Sequence, residues 1–181
     1  HNIMESVLGE GSSSVNKEIE APARFDMAVP FTLMVGTLEP RKGHADILAA
    51  FSELWREGAS HRLVLVGRRG WRVDDLRARI LGHSEYGRKL LWFHDVEDNE
   101  LERIYRACQG MIIASHAEGF GLPLIEALGH RKPVLARDLP IFRQHENLGV
   151  GYFPADASTK ELAGCIRGWI EDVRAGRIVV T

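Results

Sequence analysis

Two loops concentrate residues that could grip a polyhydroxylated anion. The first reads Val35-Gly36-Thr37-Leu38-Glu39-Pro40-Arg41-Lys42-Gly43, with a helical pattern starting near His44. Gly36 closes an apolar run and permits close backbone approach. Arg41 and Lys42 then stand just before the helix, where cations oppose the helix dipole. The placement becomes favourable if a phosphate or diphosphate is held between the helix end and both side chains. The alternative is that both cations face solvent or pair with Glu39 and Asp46. The loop is neither G-x-x-x-x-G-K-S/T nor G-x-G-x-x-G.

The second loop runs Ser115-His116-Ala117-Glu118-Gly119-Phe120-Gly121-Leu122, and Pro123 suits the first turn of a following helix. Its glycines let successive N–H groups converge on an anion. Glu118 lies in the loop and Glu126 one turn into the helix, so the two share no helix face. A carboxylate accepts two hydrogen bonds side by side, which suits vicinal hydroxyls of a ribose or hexose. Read one at a time, each glutamate is equally an ordinary solvated residue. Read together, carboxylates for hydroxyls plus cations and amides for phosphates make the polarity pattern of a nucleotide sugar. His116 is either a donor contact or a solvated loop residue. Trp71 follows a glycine in a loop on the same side and is the aromatic to test for base stacking.

These loops need a frame that presents them together. From Phe31 onward, apolar runs at Phe31–Val35, Arg62–Val66, Lys89–Phe93, Gly110–Ala114, Pro133–Ala136 and Val150–Phe153 alternate with helical patterns. The helices are expected over about 44–58, 73–82, 98–108, 123–130, 140–146 and 158–174, with Asp98 and Ser158 as N-caps. Near-continuous apolar strands mean that both sheet faces are covered. The reading is an α/β, Rossmann-like doubly wound parallel sheet of about six strands. Ligands in such folds bind at the carboxyl ends of the strands, where strand order reverses.

A chain of 181 residues fills one domain. Residues 1–30, with Gly9-Glu10-Gly11-Ser12-Ser13-Ser14 and two prolines, read as a linker or the end of a missing N-terminal domain, and residues 31–181 as the domain proper. The start at His1 and the stop at Val179-Val180-Thr181 suggest a piece of a longer protein. A net charge of -2 gives no field to attract nucleic acid. No apolar run approaches the ~20 residues of a membrane helix, and there is no secretory signal pattern. Cys108 and Cys165 form no metal-type pair and are expected as buried, reduced thiols. A cytoplasmic location fits that usage.

Gly36–Gly43 together with Glu118–Glu126 resemble glycosyltransferase family 4, the retaining enzymes of the two-domain GT-B fold. The E-x7-E pattern enclosing E-G-F-G-L-P is specific, and the resemblance runs from about Phe31 to Asp172. It takes in Asp98-Asn99-Glu100-Leu101, Tyr105, Pro133-Val134 and Asp138-Leu139-Pro140-Ile141-Phe142-Arg143. The V-G-T-L-E-P-R-K form and the Gly70-Trp71 turn look most like bacterial mannosyltransferases of surface polysaccharide synthesis.

The resemblance implies that this is the C-terminal half of a GT-B fold, with a nucleotide diphosphate sugar as donor and no cofactor or metal. Glu126 would hold ribose hydroxyls and Glu118 the hydroxyls of the donor sugar. Gly36, Thr37 and the backbone amides of Phe120, Gly121 and Leu122 would bind the donor, with the backbone of Val96 near the nucleobase. Arg41 and Lys42 would stabilise the departing diphosphate, a catalytic role because charge develops there. Many members carry arginine where this chain has Thr37; Arg68, after the second strand, either compensates or is an exposed surface arginine.

A glycan or lipid-linked acceptor would bind the missing N-terminal domain, and the full-length protein would sit peripherally at the inner face of the cytoplasmic membrane. This chain alone would bind nucleotide but transfer sugar slowly or not at all. A GT-B sugar-nucleotide epimerase and a non-catalytic nucleotide-binding module are the competing functions. A phosphorylase would need a lysine-bound pyridoxal cofactor and a longer domain.

Overall fold

The computed structural model describes residues 25–145 and 149–180. The expected linker over residues 1–30 lies mostly outside them. Six strands form one sheet: β1 (Phe31–Val35), β2 (Arg62–Val66), β3 (Leu90–Phe93), β4 (Gly110–Ile113), β5 (Val134–Arg137) and β6 (Val150–Phe153). Every pairing is parallel and the order is β3-β2-β1-β4-β5-β6. Among the described residues, five α-helices accompany the strands: α1 (His44–Arg56), α2 (Asp74–Leu81), α3 (Asp98–Ala107), α4 (Leu122–Gly129) and α5 (Thr159–Arg174). The doubly wound α/β reading therefore holds, with strand ends shifted by a residue at most.

Two cores cover the two faces. Met34, Leu63, Leu65, Trp92, Ile112, Leu135 and Phe153 point to one face and pack against α1, α2 and α5. Phe31, Leu33, Val64, Val66, Phe93, Met111, Ile113, Val134 and Ala136 point to the other, against α3 and α4. Successive side chains go to opposite faces, so covering both makes each strand read as one apolar run. In α1, Ile47, Leu48, Phe51, Leu54 and Trp55 recur at helical spacing and are all buried. Trp55, Trp92 and Trp169 are core residues, as their spacing predicts.

Three details differ from the sequence reading. Over Pro140–His145 the expected 140–146 helix is instead a 3-10 turn, too short for helical periodicity to settle, and it buries Phe142 beneath the sheet; Glu146 lies outside the described residues. Asp98 is not an N-cap. Glu97 holds that position without a side-chain bond, and Asp98 sits in the first turn, where a carboxylate still favours the dipole. Ser158 does cap α5, accepting from the Glu161 amide at 3.1 Å.

Cys108 is 1% exposed and its thiol is pushed up to about 11, chiefly by burial. Cys165 is only half-buried, correcting the expectation of two buried thiols. A chromogenic disulfide reagent at pH 8 should therefore label Cys165 in the native chain and Cys108 only after denaturation. Two fast-reacting thiols in the native state would contradict the burial of Cys108.

Candidate donor site

Strand order reverses between β1 and β4. The chain leaves β1 towards α1 on one face and leaves β4 towards α4 on the other, so their loops diverge and open a crevice. A cleft of about 290 Å³ lies there. Gly36, Thr37, Arg41, Lys42, Ser115 and Glu126 line it, with His44 and Tyr105. Five of the expected site residues thus meet in one place although their loops are some eighty positions apart in the chain.

Local sequence explains how the loops are held. Pro40–Lys42 forms a 3-10 turn that ends on Gly43, whose left-handed backbone (φ 76°, ψ 16°) starts α1. Gly121 does the same for α4 (φ 69°, ψ 17°), with Pro123 in the first turn, where its missing N–H costs nothing. The backbone amides of Phe120, Gly121 and Leu122 have no partner among the described residues. The loops are stitched together by the His116 amide, which donates to the Arg41 carbonyl at 2.8 Å.

The cations are not free. Arg41 Nε donates to Glu39 Oε2 at 3.1 Å, as the alternative for that loop allowed, and the arginine is 63% exposed. Lys42 donates to Glu118 Oε1 at 2.8 Å, with both side chains mostly buried, while Asp46 pairs with Arg137 and His116. Burial alone would raise the Glu118 carboxyl, but hydrogen bonds from Lys42 and Ser115 and the charges of Lys42 and Arg41 hold it below the usual range. Glu118 is thus an ionised carboxylate at the cleft edge, tied to one of the two phosphate-binding candidates. An arriving diphosphate would compete with it for Lys42.

The cleft is also lined by two groups outside the expected site residues. His44, the first residue of α1, is 4% exposed, and its imidazole is lowered to about 4 by burial and by Lys42. It is neutral, and its Nδ1 has no hydrogen-bond partner among the described residues. Tyr105 stacks on His130 with ring centroids 3.5 Å apart and planes at 11°. Its hydroxyl is pushed up to about 12 by burial, then by Glu126, Cys108 and Glu102, so it stays protonated beside Glu126. Only its appearance within the wider resemblance singled Tyr105 out, and His44 was signalled by its place beside the cation pair.

Not every expected residue lines the cleft. Glu118 reaches it through Lys42, and Phe120 (81% exposed) and Leu122 stand outside its lining. Val96 is half-buried against the α3–α4 core and is not among the lining residues. Arg68 pairs with Asp95 at 3.4 Å on an exposed surface and does not enter the cleft. Trp71 is 82% exposed and also outside it.

Comparison with known proteins agrees with this fold. The model of the family described as glycosyl transferases group 1 matches residues 15–176. Over 143 residues the chain is 43% identical to the serotype-specific mannosyltransferase WbdA of Escherichia coli, covering 79% of this chain and 17% of that protein. It is 29% identical over 126 residues to the O-antigen chain mannosyltransferase RfbU of Salmonella typhimurium, covering 70% of this chain and 35% of RfbU. Among solved structures it resembles the C-terminal domain of a glycosyl transferase group 1 family protein from Francisella tularensis. There the TM-score is 0.64 at 21% identity, over 80% of this chain and 76% of that one. The fold is also shared with sucrose-phosphate synthase of Thermosynechococcus elongatus (TM-score 0.64, 24% identity, 86% of this chain and 40% of that one).

Proposed function

Because the chain belongs to the glycosyl transferases group 1 family, we propose that residues 31–181 form the nucleotide-sugar-binding half of a retaining glycosyltransferase. The supporting observation is the cleft at the strand-order reversal, where cations, a helix amino end and carboxylates converge. Glu126 takes the ribose hydroxyls. Arg41, Lys42 and the first turn of α1 take the diphosphate, and their charge counts most as the leaving phosphate becomes more negative. Glu118, released from Lys42 by the incoming phosphate, takes hydroxyls of the donor hexose. The free amides of Phe120, Gly121 and Leu122 take donor oxygens.

The mannosyltransferase relatives favour mannose from GDP-mannose as the donor, and a glycan or lipid-linked acceptor of surface polysaccharide synthesis. No helix among the described residues is long and apolar enough to cross a membrane. The whole protein would act in the cytoplasm, at the membrane's inner face, with the acceptor on a domain beyond this chain.

Calorimetric titration of the chain with GDP, UDP and ADP tests the site. GDP should bind tightest. Glu126→Ala should weaken it about 10–100-fold, the worth of hydrogen bonds to a charged group, and Lys42→Met by about tenfold. Silence towards all three nucleotides in a folded sample would sink the site assignment. A clear preference for UDP would replace mannose with another donor sugar.

A further inference from the structure

Behind the cleft lies a charge that the donor site does not use directly. Arg137 ends β5, an otherwise apolar strand, and its side chain is 4% exposed. Its guanidinium donates to the carbonyl of Ala114 at 3.0 Å, to the carbonyl of Ala155 at 2.6 Å and to Asp46 Oδ2 at 2.8 Å, and it lies over the Phe153 ring at 5.0 Å. The same Asp46 oxygen stands 3.2 Å from Nε2 of His116. One arginine therefore joins the ends of β4 and β5, the loop after β6 and the first turn of α1.

The tethers to Ala114 and Asp46 lead to the cleft. Ala114 immediately precedes Ser115, which bonds the Glu118 carboxylate. Asp46 sits one turn beyond Lys42 and two residues beyond His44. His116, held through its ring by Asp46, is held through its amide by the Arg41 carbonyl. Burying the guanidinium costs desolvation, and a carboxylate that is itself 46% exposed returns only a modest Coulomb gain. Stability alone thus gives little reason for a guanidinium here, whereas its fixed fork of donors locks several backbones at once.

We propose that Arg137 is a positioning residue for the donor cleft. Through Asp46 and His116 it fixes loop 115–118 against the turn that carries Arg41 and Lys42, and so sets the Lys42–Glu118 pair. The inference rests on the reading of the cleft as a nucleotide site. It predicts that Arg137 and Asp46 act on binding as one unit although neither lines the cleft.

The test is a double-mutant cycle on the 181-residue chain, with GDP affinity and thermal midpoint measured for each variant. Arg137→Met keeps the side-chain volume and should fold, yet bind GDP at least about tenfold more weakly. Asp46→Asn, at a half-exposed position, should fold and weaken GDP several-fold. The double variant should bind no worse than Arg137→Met alone, and Arg137→Lys should recover part of the loss. A purely structural arginine would lower the midpoint and leave GDP affinity of the folded chain unchanged, and that result overturns the inference. So do losses that simply multiply. If Arg137→Met does not fold, an unchanged affinity in Asp46→Asn decides against it. Failure of the wild-type chain to bind GDP overturns the donor-site reading and this inference with it; tight wild-type binding with indifferent variants overturns the inference alone.

Discussion

Gly43→Ala is expected to destabilise the domain by at least ~3 kcal/mol and to abolish nucleotide binding in whatever fraction stays folded. Two costs combine. The residue has φ 76°, a left-handed backbone that costs an alanine ~1–2 kcal/mol. A Cβ there would also lie 2.1 Å from the Ala114 carbonyl oxygen and 2.9 Å from its carbon. Those are backbone atoms at the end of β4, so no side-chain rotation relieves the clash. Either α1 moves away, carrying Lys42 and His44, or β4 moves, carrying Ser115 and Glu118. Both routes open the cleft.

Gly164→Ala is the matched control. That glycine is exposed within α5 with nothing inside 4 Å of the added carbon, and alanine there should stabilise by ~0.5–1 kcal/mol. Urea midpoints of the two variants should move in opposite directions. A Gly43→Ala midpoint within error of wild type would mean that the close approach of α1 to β4 is wrong.

That contact also marks where sequence reading stops. The strands were legible because apolar continuity is a local property that two covered faces impose on each segment separately. The site loops were legible for a similar reason: Gly36, Gly43, Gly121 and Pro123 meet backbone demands that each loop makes alone. Pairings between loops carry no local mark. Asp46 reads as a partner for Arg41 or Lys42 because it is near them in the chain. The fold sends Lys42 to Glu118 and gives Asp46 to Arg137, 91 positions away. Arg137 did leave a trace, a lone cation closing an apolar strand, which only the neighbouring backbone ends turn into a function. Pro140–His145 shows the converse limit. Six residues hold too few turns for a helical period, and burying Phe142 needs no more than a 3-10 turn.

Acid should begin to destabilise this domain well above the pH at which carboxylates ordinarily protonate, and histidines rather than carboxylates should start the loss. His44 and His61 are each lowered from 6.5 to about 4. For His44 burial is the main cause, with Lys42 second; for His61 burial leads, followed by Arg174 and Arg62. His61 accepts or donates at Nε2 with the Thr32 hydroxyl at 2.7 Å and lies against Phe51, at the far end of the sheet from the cleft. Between pH 6.5 and 4 the unfolded chain binds these protons and the folded chain does not. Stability therefore rises with pH across that window and falls as acid is added.

Each histidine accounts for ~3 kcal/mol over the full window, so the pair costs about 6 kcal/mol, against the 5–15 kcal/mol that typically holds a domain together. The lowered carboxyls of Glu118 and Asp138 act in the same sense. Their contribution is present above the unfolded carboxylate range and is lost as pH falls through their lower folded values. Urea midpoints at pH 7.5, 5.5 and 4.5 should decline steeply, and His61→Gln should remove about half of the slope without touching nucleotide affinity at pH 7.5. His44→Gln should flatten the slope as much and weaken binding as well, because His44 lines the cleft. A midpoint that stays level from pH 7.5 to 5, or a His61→Gln slope equal to wild type, would mean that these rings are hydrated and charged, and that neither the α1 amino end nor the base of β2 is packed as described.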